Sequence, residues 1–174
     1  MKRMILASGS PRRKELLQML EVPFEVLVSD TKEVITKNEP AEVTKELSYQ
    51  KAMAVAEQVE EGIIIGADTV VSIDGKILGK PADTEEAREM IYKLQGKSHM
   101  VYTGVTVIAK SGDMVSASSF AEGTKVNVAP MTENEIEAYI STDEPYDKAG
   151  AYGIQGLFGK FIEGIKGDYF NVVG

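Results

Sequence analysis

A chain of 174 residues with 43% hydrophobic and 26% charged side chains is long enough to bury a core, and its composition is that of a globular protein. It has no cysteine and one histidine, His99, which excludes disulfides, a thiolate nucleophile and any zinc site built from cysteines or several histidines; a reducing cytoplasm is the expected setting. The formal net charge of −8 argues against broad nucleic-acid binding, and no apolar run is long enough to span a membrane, so neither is an expected partner.

Charge is unevenly placed. Five of the 19 basic residues (Lys2, Arg3, Arg12, Arg13, Lys14) fall within the first fourteen positions, where there is no acid. Lys2 and Arg3 precede only a short apolar stretch, too short for a secretion signal. Residues 4–7 predict a buried strand. Ser10 then offers an N-cap and Pro11 a first helical position, with Leu16, Leu17 and Leu20 as the apolar face of the helix. Phe24 to Val28 reads as a second strand, followed by a polar loop.

Residues 41–60 predict a long helix with Val43, Leu47, Ala54 and Val55 on one side. Lys51 falls inside that stripe, either snorkelling at its edge or reaching into a cleft. Gly62 to Ile73 predicts a strand, and Asp74-Gly75 a tight hairpin into Lys76-Ile77-Leu78. Asp83 with Glu86 resembles a capping box for a helix whose inner face is Ala87, Met90, Ile91 and Leu94, stopped at Gly96. Val101 to Val128 holds two strand-like runs around Ser111-Gly112-Asp113. Thr132 and Glu135 cap a further helix to about residue 141. After a turn-rich stretch from Thr142 to Gly156, terminal strands are expected near Phe158 to Ile162 and Tyr169 to Val173. The hairpins rule out a purely parallel sheet, so the class is mixed α/β.

The segment Ser8-Gly9-Ser10-Pro11-Arg12-Arg13 joins a strand to a helix start, where backbone N–H groups and the positive end of the helix dipole attract phosphate. Two hydroxyls and two guanidiniums add donors. The competing reading is a capped helix with its arginines in solvent. Asp68, at the end of the most apolar segment, reads as a carboxylate at a strand end facing a cleft, able to activate water or hold a metal; a turn aspartate pairing with local backbone is the alternative. Lys51 and Lys80 could neutralise a polyphosphate or lie at the surface. Glu33 is a candidate second metal ligand in a generally acidic region. With so little histidine and no cysteine, any metal would be held by carboxylates, favouring Mg²⁺ or Mn²⁺. His99 reads as an edge residue of a strand. In the long stretch from Asp143 to Gly156, glycines at spacing three (Gly150, Gly153, Gly156) would allow a ligand close to the backbone, and Gln155 could read a base edge. The P-loop and dinucleotide-binding glycine patterns are absent.

Taken in order, Ser8-Gly9-Ser10-Pro11-Arg12-Arg13, Gly66-Ala67-Asp68-Thr69, Gly79-Lys80-Pro81 and Asp147-Lys148-Ala149-Gly150-Ala151-Tyr152-Gly153-Ile154-Gln155-Gly156 resemble the Maf family of nucleoside triphosphate pyrophosphatases along nearly the whole chain. The resemblance implies a single α/β domain over 1–174, with a mixed twisted sheet in two lobes around a central cleft, similar to inosine triphosphate pyrophosphatase, and with the family's C-terminal helix missing after Gly174. Arg12, Thr69 and Gln155 stand where the branch acting on 7-methyl-GTP has Trp, Gln and Glu, so the resemblance is to the branch hydrolysing dTTP and UTP. It implies Asp68 as catalytic base and Arg12, Thr69 and Gln155 as specificity residues. It further implies Ser8, Arg13, Lys51 and Lys80 on the triphosphate, and Glu33 with Asp68 at a Mg²⁺ or Mn²⁺ ion. A nucleoside triphosphate is the expected partner, with homodimer formation left open. A nucleotide-binding regulator of cell division with little turnover is the alternative function.

Overall fold

The computed structural model describes residues 3–28 and 30–174, so Lys2 of the N-terminal basic cluster lies outside the described residues. Among the described residues seven strands pair in the order β2-β1-β3-β5-β6-β7, with β4 on β3: β1 is Met4–Leu6, β2 Glu25–Val26, β3 Glu61–Ile73, β4 Lys76–Leu78, β5 Ser98–Ser111, β6 Met114–Val128 and β7 Ile162–Lys166. β1 runs parallel to both β2 and β3, while β3–β4 and β6–β7 are antiparallel, which is the mixed sheet expected. Among the described residues there are five α-helices: α1 Pro11–Gln18, α2 Pro40–Ala56, α3 Thr84–Leu94, α4 Glu133–Ile140 and α5 Tyr169–Val173.

Local chemistry accounts for most boundaries. Asp74 and Gly75 both take positive φ (49° and 73°), as a two-residue turn between twisted strands requires. Asp83 accepts from Glu86 N, and Thr132 with Glu135 forms a reciprocal capping box, so α3 and α4 begin where expected. Ala87, Met90, Ile91 and Leu94 are all buried. Other expectations need correction. The helix predicted to residue 60 ends at Ala56. Leu16 and Leu17 are only half-buried and Leu20 is exposed, so α1 has no fully buried residue. Leu157–Phe161 is a 3₁₀ turn preceding β7, not a strand. Tyr169–Val173 is aromatic and β-branched and reads as a strand by propensity, yet it is helical: Asp168 Oδ1 accepts from Asn171 N at 2.8 Å, which starts a helix.

The chain divides into two compact units. The first comprises Met1–Asp68, Thr103–Glu122 and Gly174, and the second Thr69–Tyr102 and Gly123–Val173, so β3, β5 and β6 each contribute to both. The core of the first gathers Ile5, Ala52, Val55, Ile64 and Ile108. Here α2 lies directly on backbone. A Cβ on Gly66 of β3 would stand 2.4 Å from Ser48 O, and one on Gly104 of β5 2.4 Å from Thr44 O, so only glycine at both places lets the helix settle this close.

The second unit packs around Phe158, fully buried, whose ring lies 5.1 Å from that of Tyr139 and 4.8 Å from that of Tyr152. His99 belongs to this core. It is 3% exposed, its strand lies between β3 and β6, and its Nε2 shares a 2.5 Å hydrogen bond with the Tyr152 hydroxyl, so the expectation of an edge residue fails. Burial lowers its pKa to about 4. Since the folded chain refuses a proton that the unfolded chain accepts below pH 6.5, His99 costs stability as pH falls from there towards 4, by roughly 3 kcal/mol in all. Denaturation of wild type and His99→Gln at pH 7 and pH 4.5 checks this. The stability difference between the two should move in favour of the variant at the lower pH, and an unchanged difference contradicts it.

Candidate active site

The candidate residues of the first unit come together through strand parity and helical spacing. Along β3, the even-numbered residues Gly62, Ile64, Gly66 and Asp68 are buried, and Gly66 meets α2. Period-two alternation puts Asp68 on that same face. On α2, Leu47, Lys51 and Val55 recur every fourth residue. Lys51 thus reaches Asp68 from above: its Nζ donates to Asp68 Oδ1 in a short contact and lies 3.0 Å from Glu33 Oε1. Of the two readings of Lys51, the structure selects the one in which it points inward.

Asp68 is not at a strand end, because β3 continues to Ile73. The relevant end belongs to its neighbour. β1 pairs with β3 through Leu6↔Ile65, Ala7 N donates to Ile65 O at 2.8 Å, and the chain then turns away into Ser8–Pro11, leaving β3 without β1 beside it three residues before Asp68.

That turn supplies the cations. Ser8, buried, accepts through Oγ from Ser10 N and from Arg13 Nη1, both at 3.3 Å. Ser10 occupies the N-cap position in extended conformation but makes no side-chain cap bond. Arg12 and Arg13 are both half-buried on the first turn of α1. Burial lowers the pKa of Arg13, opposed by the charges of Asp68 and Glu33, and adjacent Arg12 adds repulsion; the guanidinium stays a cation. Asp68 moves the other way. Burial raises its carboxyl above the ordinary range, against the pull of Lys51 and Arg13, and Glu33 pushes it up further. A buried carboxylate with raised affinity for a proton, flanked by cations, can accept a proton from water while those cations hold an anion.

Glu33 is placed by residues that sequence reasoning missed. Gln50 of α2 pairs with both main-chain groups of Val34, receiving N–H at 2.9 Å and donating to C=O at 2.6 Å, and Glu46 accepts from Thr36 N at 2.8 Å. The only signal was two long polar side chains four apart on one helix, a pattern that normally marks a solvated face.

The second unit carries Thr69, half-buried on β3, and Lys80 and Gln155, both exposed. Lys80 follows Gly79, whose carbonyl accepts from Gly150 N at 2.9 Å, so its segment is joined to the late stretch. That stretch is built of short 3₁₀ turns. Its glycines serve packing inside the protein. A Cβ on Gly150 (φ 67°) would stand 2.8 Å from Val71 Cγ2, one on Gly153 2.9 Å from the Lys148 side chain, and one on Gly156 2.3 Å from Glu144 Oε1. The expectation that they open the backbone to a ligand is replaced by this.

The model of the family described as Maf-like protein matches residues 3–174. The dTTP/UTP pyrophosphatase of Bacillus cytotoxicus is 53% identical over 175 residues, covering 100% of this chain and 90% of that relative. A protein of the same name from Bacillus cereus is 49% identical with the same coverage. Among solved structures, the Ham1 protein of Staphylococcus aureus is similar in fold alone, with TM-score 0.51 and 16% identity over 74% of this chain and 72% of the other.

Proposed function

Since this chain belongs to the Maf family, we propose that it is a hydrolase that cleaves the α–β phosphoanhydride of dTTP and UTP, releasing nucleoside monophosphate and pyrophosphate. The observation that carries the reading is the buried Asp68 carboxylate held against Lys51, with Ser8 and the half-buried Arg13 in the same unit. Relatives of about 50% identity that bear the name dTTP/UTP pyrophosphatase support the substrate choice.

In this reading Asp68 takes a proton from water, whose oxygen forms a new bond to the attacked phosphorus as the α–β anhydride breaks. Pyrophosphate leaves with the electron pair. Lys51, Arg12 and Arg13 meet the negative charge that accumulates on it, the kind of fixed electrostatic stabilisation that supplies most of many enzymatic rate enhancements. Ser8 orients Arg13 and adds a hydroxyl donor. Lys80 contributes a further cation, while Arg12, Thr69 and Gln155 set which base is accepted.

The donor set fits a divalent cation. Glu33 and Asp68, both paired with the Lys51 ammonium, are the carboxylates that would hold it alongside that lysine, and hard carboxylate oxygens suit Mg²⁺ or Mn²⁺. Among the described residues no group of three or more His, Asp or Glu side chains could hold a metal, so two protein ligands would share the ion with phosphate oxygens and water, as Mg²⁺ commonly does. Such an ion would supply charge neutralisation on the phosphates. Among the described residues no helix is long and apolar enough to cross a membrane. Removal of excess and modified pyrimidine triphosphates from a cytoplasmic pool is the role we attach to this activity.

A panel of dTTP, UTP, CTP, dATP and GTP with Mg²⁺ or Mn²⁺, with pyrophosphate and orthophosphate measured separately, tests the proposal. Pyrophosphate release, fastest from dTTP and UTP, is expected. Orthophosphate as first product refutes cleavage at the α–β bond, and preference for GTP refutes the pyrimidine assignment. Tight nucleotide binding with no product would make the chain a nucleotide-binding regulator.

A further inference from the structure

We infer that Glu144 is a positioning residue for base discrimination, acting through Gln155; this rests on the reading of Gln155 as a base-contacting residue. The 3₁₀ turn Leu157–Phe161 begins two residues after Gln155, and a helical start leaves its first N–H groups without partners inside the turn. One carboxylate from thirteen residues upstream takes both. Glu144 Oε2 accepts from Leu157 N at 2.7 Å, and Oε1 accepts from Phe158 N at 3.3 Å. The same carboxylate lies under Gly156, where a Cβ would stand 2.3 Å from Oε1. Glu144 therefore fixes the main chain immediately after Gln155.

The other side of Gln155 is fixed as well. The Tyr139 hydroxyl donates to Ala151 O at 2.9 Å and lies 3.2 Å from Glu144 Oε1, and the Tyr152 hydroxyl is held by His99. Between Tyr152 and Gly156 only Gly153, Ile154 and Gln155 lie outside these anchors, and Gln155 is exposed. The chemistry makes this placement matter. An amide carries a donor and an acceptor, and turning it over exchanges them. Uracil offers an N–H and a carbonyl where cytosine offers a ring nitrogen and an amino group, so a freely placed glutamine could satisfy either. A fixed main chain sets the distance and angle at which the amide meets the base edge, and the Glu144 carboxylate provides that fixed origin. Specificity gained from hydrogen-bonding groups is lost when the groups are free to re-pair.

The test compares kcat and KM for UTP and CTP in wild type, Glu144→Ala and Glu144→Gln, with thermal melts to establish folding. Glu144→Ala is expected to lower the UTP-to-CTP ratio of kcat/KM by about tenfold or more, mainly through a higher KM for UTP, with kcat for CTP little changed. Glu144→Gln, which keeps one acceptor, should fall between. Should Glu144→Ala not fold, Gly156→Ala displaces the carboxylate from the opposite side and should lower the same ratio. A ratio that stays constant while both substrates lose activity together overturns the inference, since that is what a merely structural residue would do. A wild type that does not prefer UTP over CTP overturns instead the reading of Gln155 on which it rests.

Discussion

Asp68→Asn is expected to lower kcat about 10³-fold, within the range that a general base contributes, while the protein melts no lower than wild type at pH 7. The two halves of this expectation have one cause. Burial raises the Asp68 carboxyl above its ordinary range more strongly than Lys51 and Arg13 pull it down. Its folded-state pKa therefore exceeds its unfolded value, so ionisation disfavours the folded chain. That cost is absent below the ordinary carboxyl range and sets in as pH rises through the raised value. Asparagine keeps the shape and removes the charge. Lys51 retains Glu33 at 3.0 Å and is not left with an uncompensated charge. Steady-state kinetics with dTTP and melts of metal-free protein at pH 7 and pH 3 check both halves, and the melting difference should close at the lower pH. Activity within tenfold of wild type removes Asp68 as the base. A variant that melts well below wild type at pH 7 means that the Lys51 pair outweighs burial.

How far the site was legible in the sequence depends on which physical signal each residue gives. Ser8, Arg12 and Arg13 announce themselves locally, because a strand, a small-residue turn, a proline and two arginines within six positions already define a helix start rich in donors. Lys51 was legible as an anomaly, a cation at a core position, although its direction was not. That direction depends on the face of β3 that carries Asp68, and parity becomes decisive only once Gly66 is known to lie beneath α2. The strap that carries Glu33 was invisible, since Gln50 and Glu46 act through hydrogen bonds to a loop with no periodicity of its own. In the second unit, glycines that suggested room for a ligand instead make room for Val71, Lys148 and Glu144, because a glycine reports that something lies close and never what it is. Tyr169–Val173 misled through propensity, which a single aspartate cap overrode.

The closeness of α2 to the sheet gives the second large effect. Gly66→Ala should destabilise the protein by about 1–3 kcal/mol, as overpacking of a close-packed contact does, and lower kcat by about tenfold or more. The added methyl would stand 2.4 Å from Ser48 O and 2.9 Å from both Ala52 Cβ and Ala52 N. Two of these three obstacles are main-chain atoms of a helix interior, which cannot move without the helix. The neighbours are Ser48 and Ala52, three residues before and one after Lys51, so the lift falls on the turn that aims the ammonium at Asp68. Gly104→Ala is the control. Its methyl would stand 2.3 Å from Thr44 C and 2.6 Å from Lys45 N, an equally severe contact on the same helix. Thr44, however, is seven residues from Lys51, about 10 Å along the axis. Both variants should lose comparable stability by chemical denaturation, while only Gly66→Ala should lose activity per folded molecule to that extent. Equal losses of activity would show that α2 moves as a rigid rod and that the Lys51–Asp68 contact answers to its whole length; undiminished activity in Gly66→Ala would show that the contact tolerates displacement, and with it that the short distance between Lys51 and Asp68 is not what the chemistry requires.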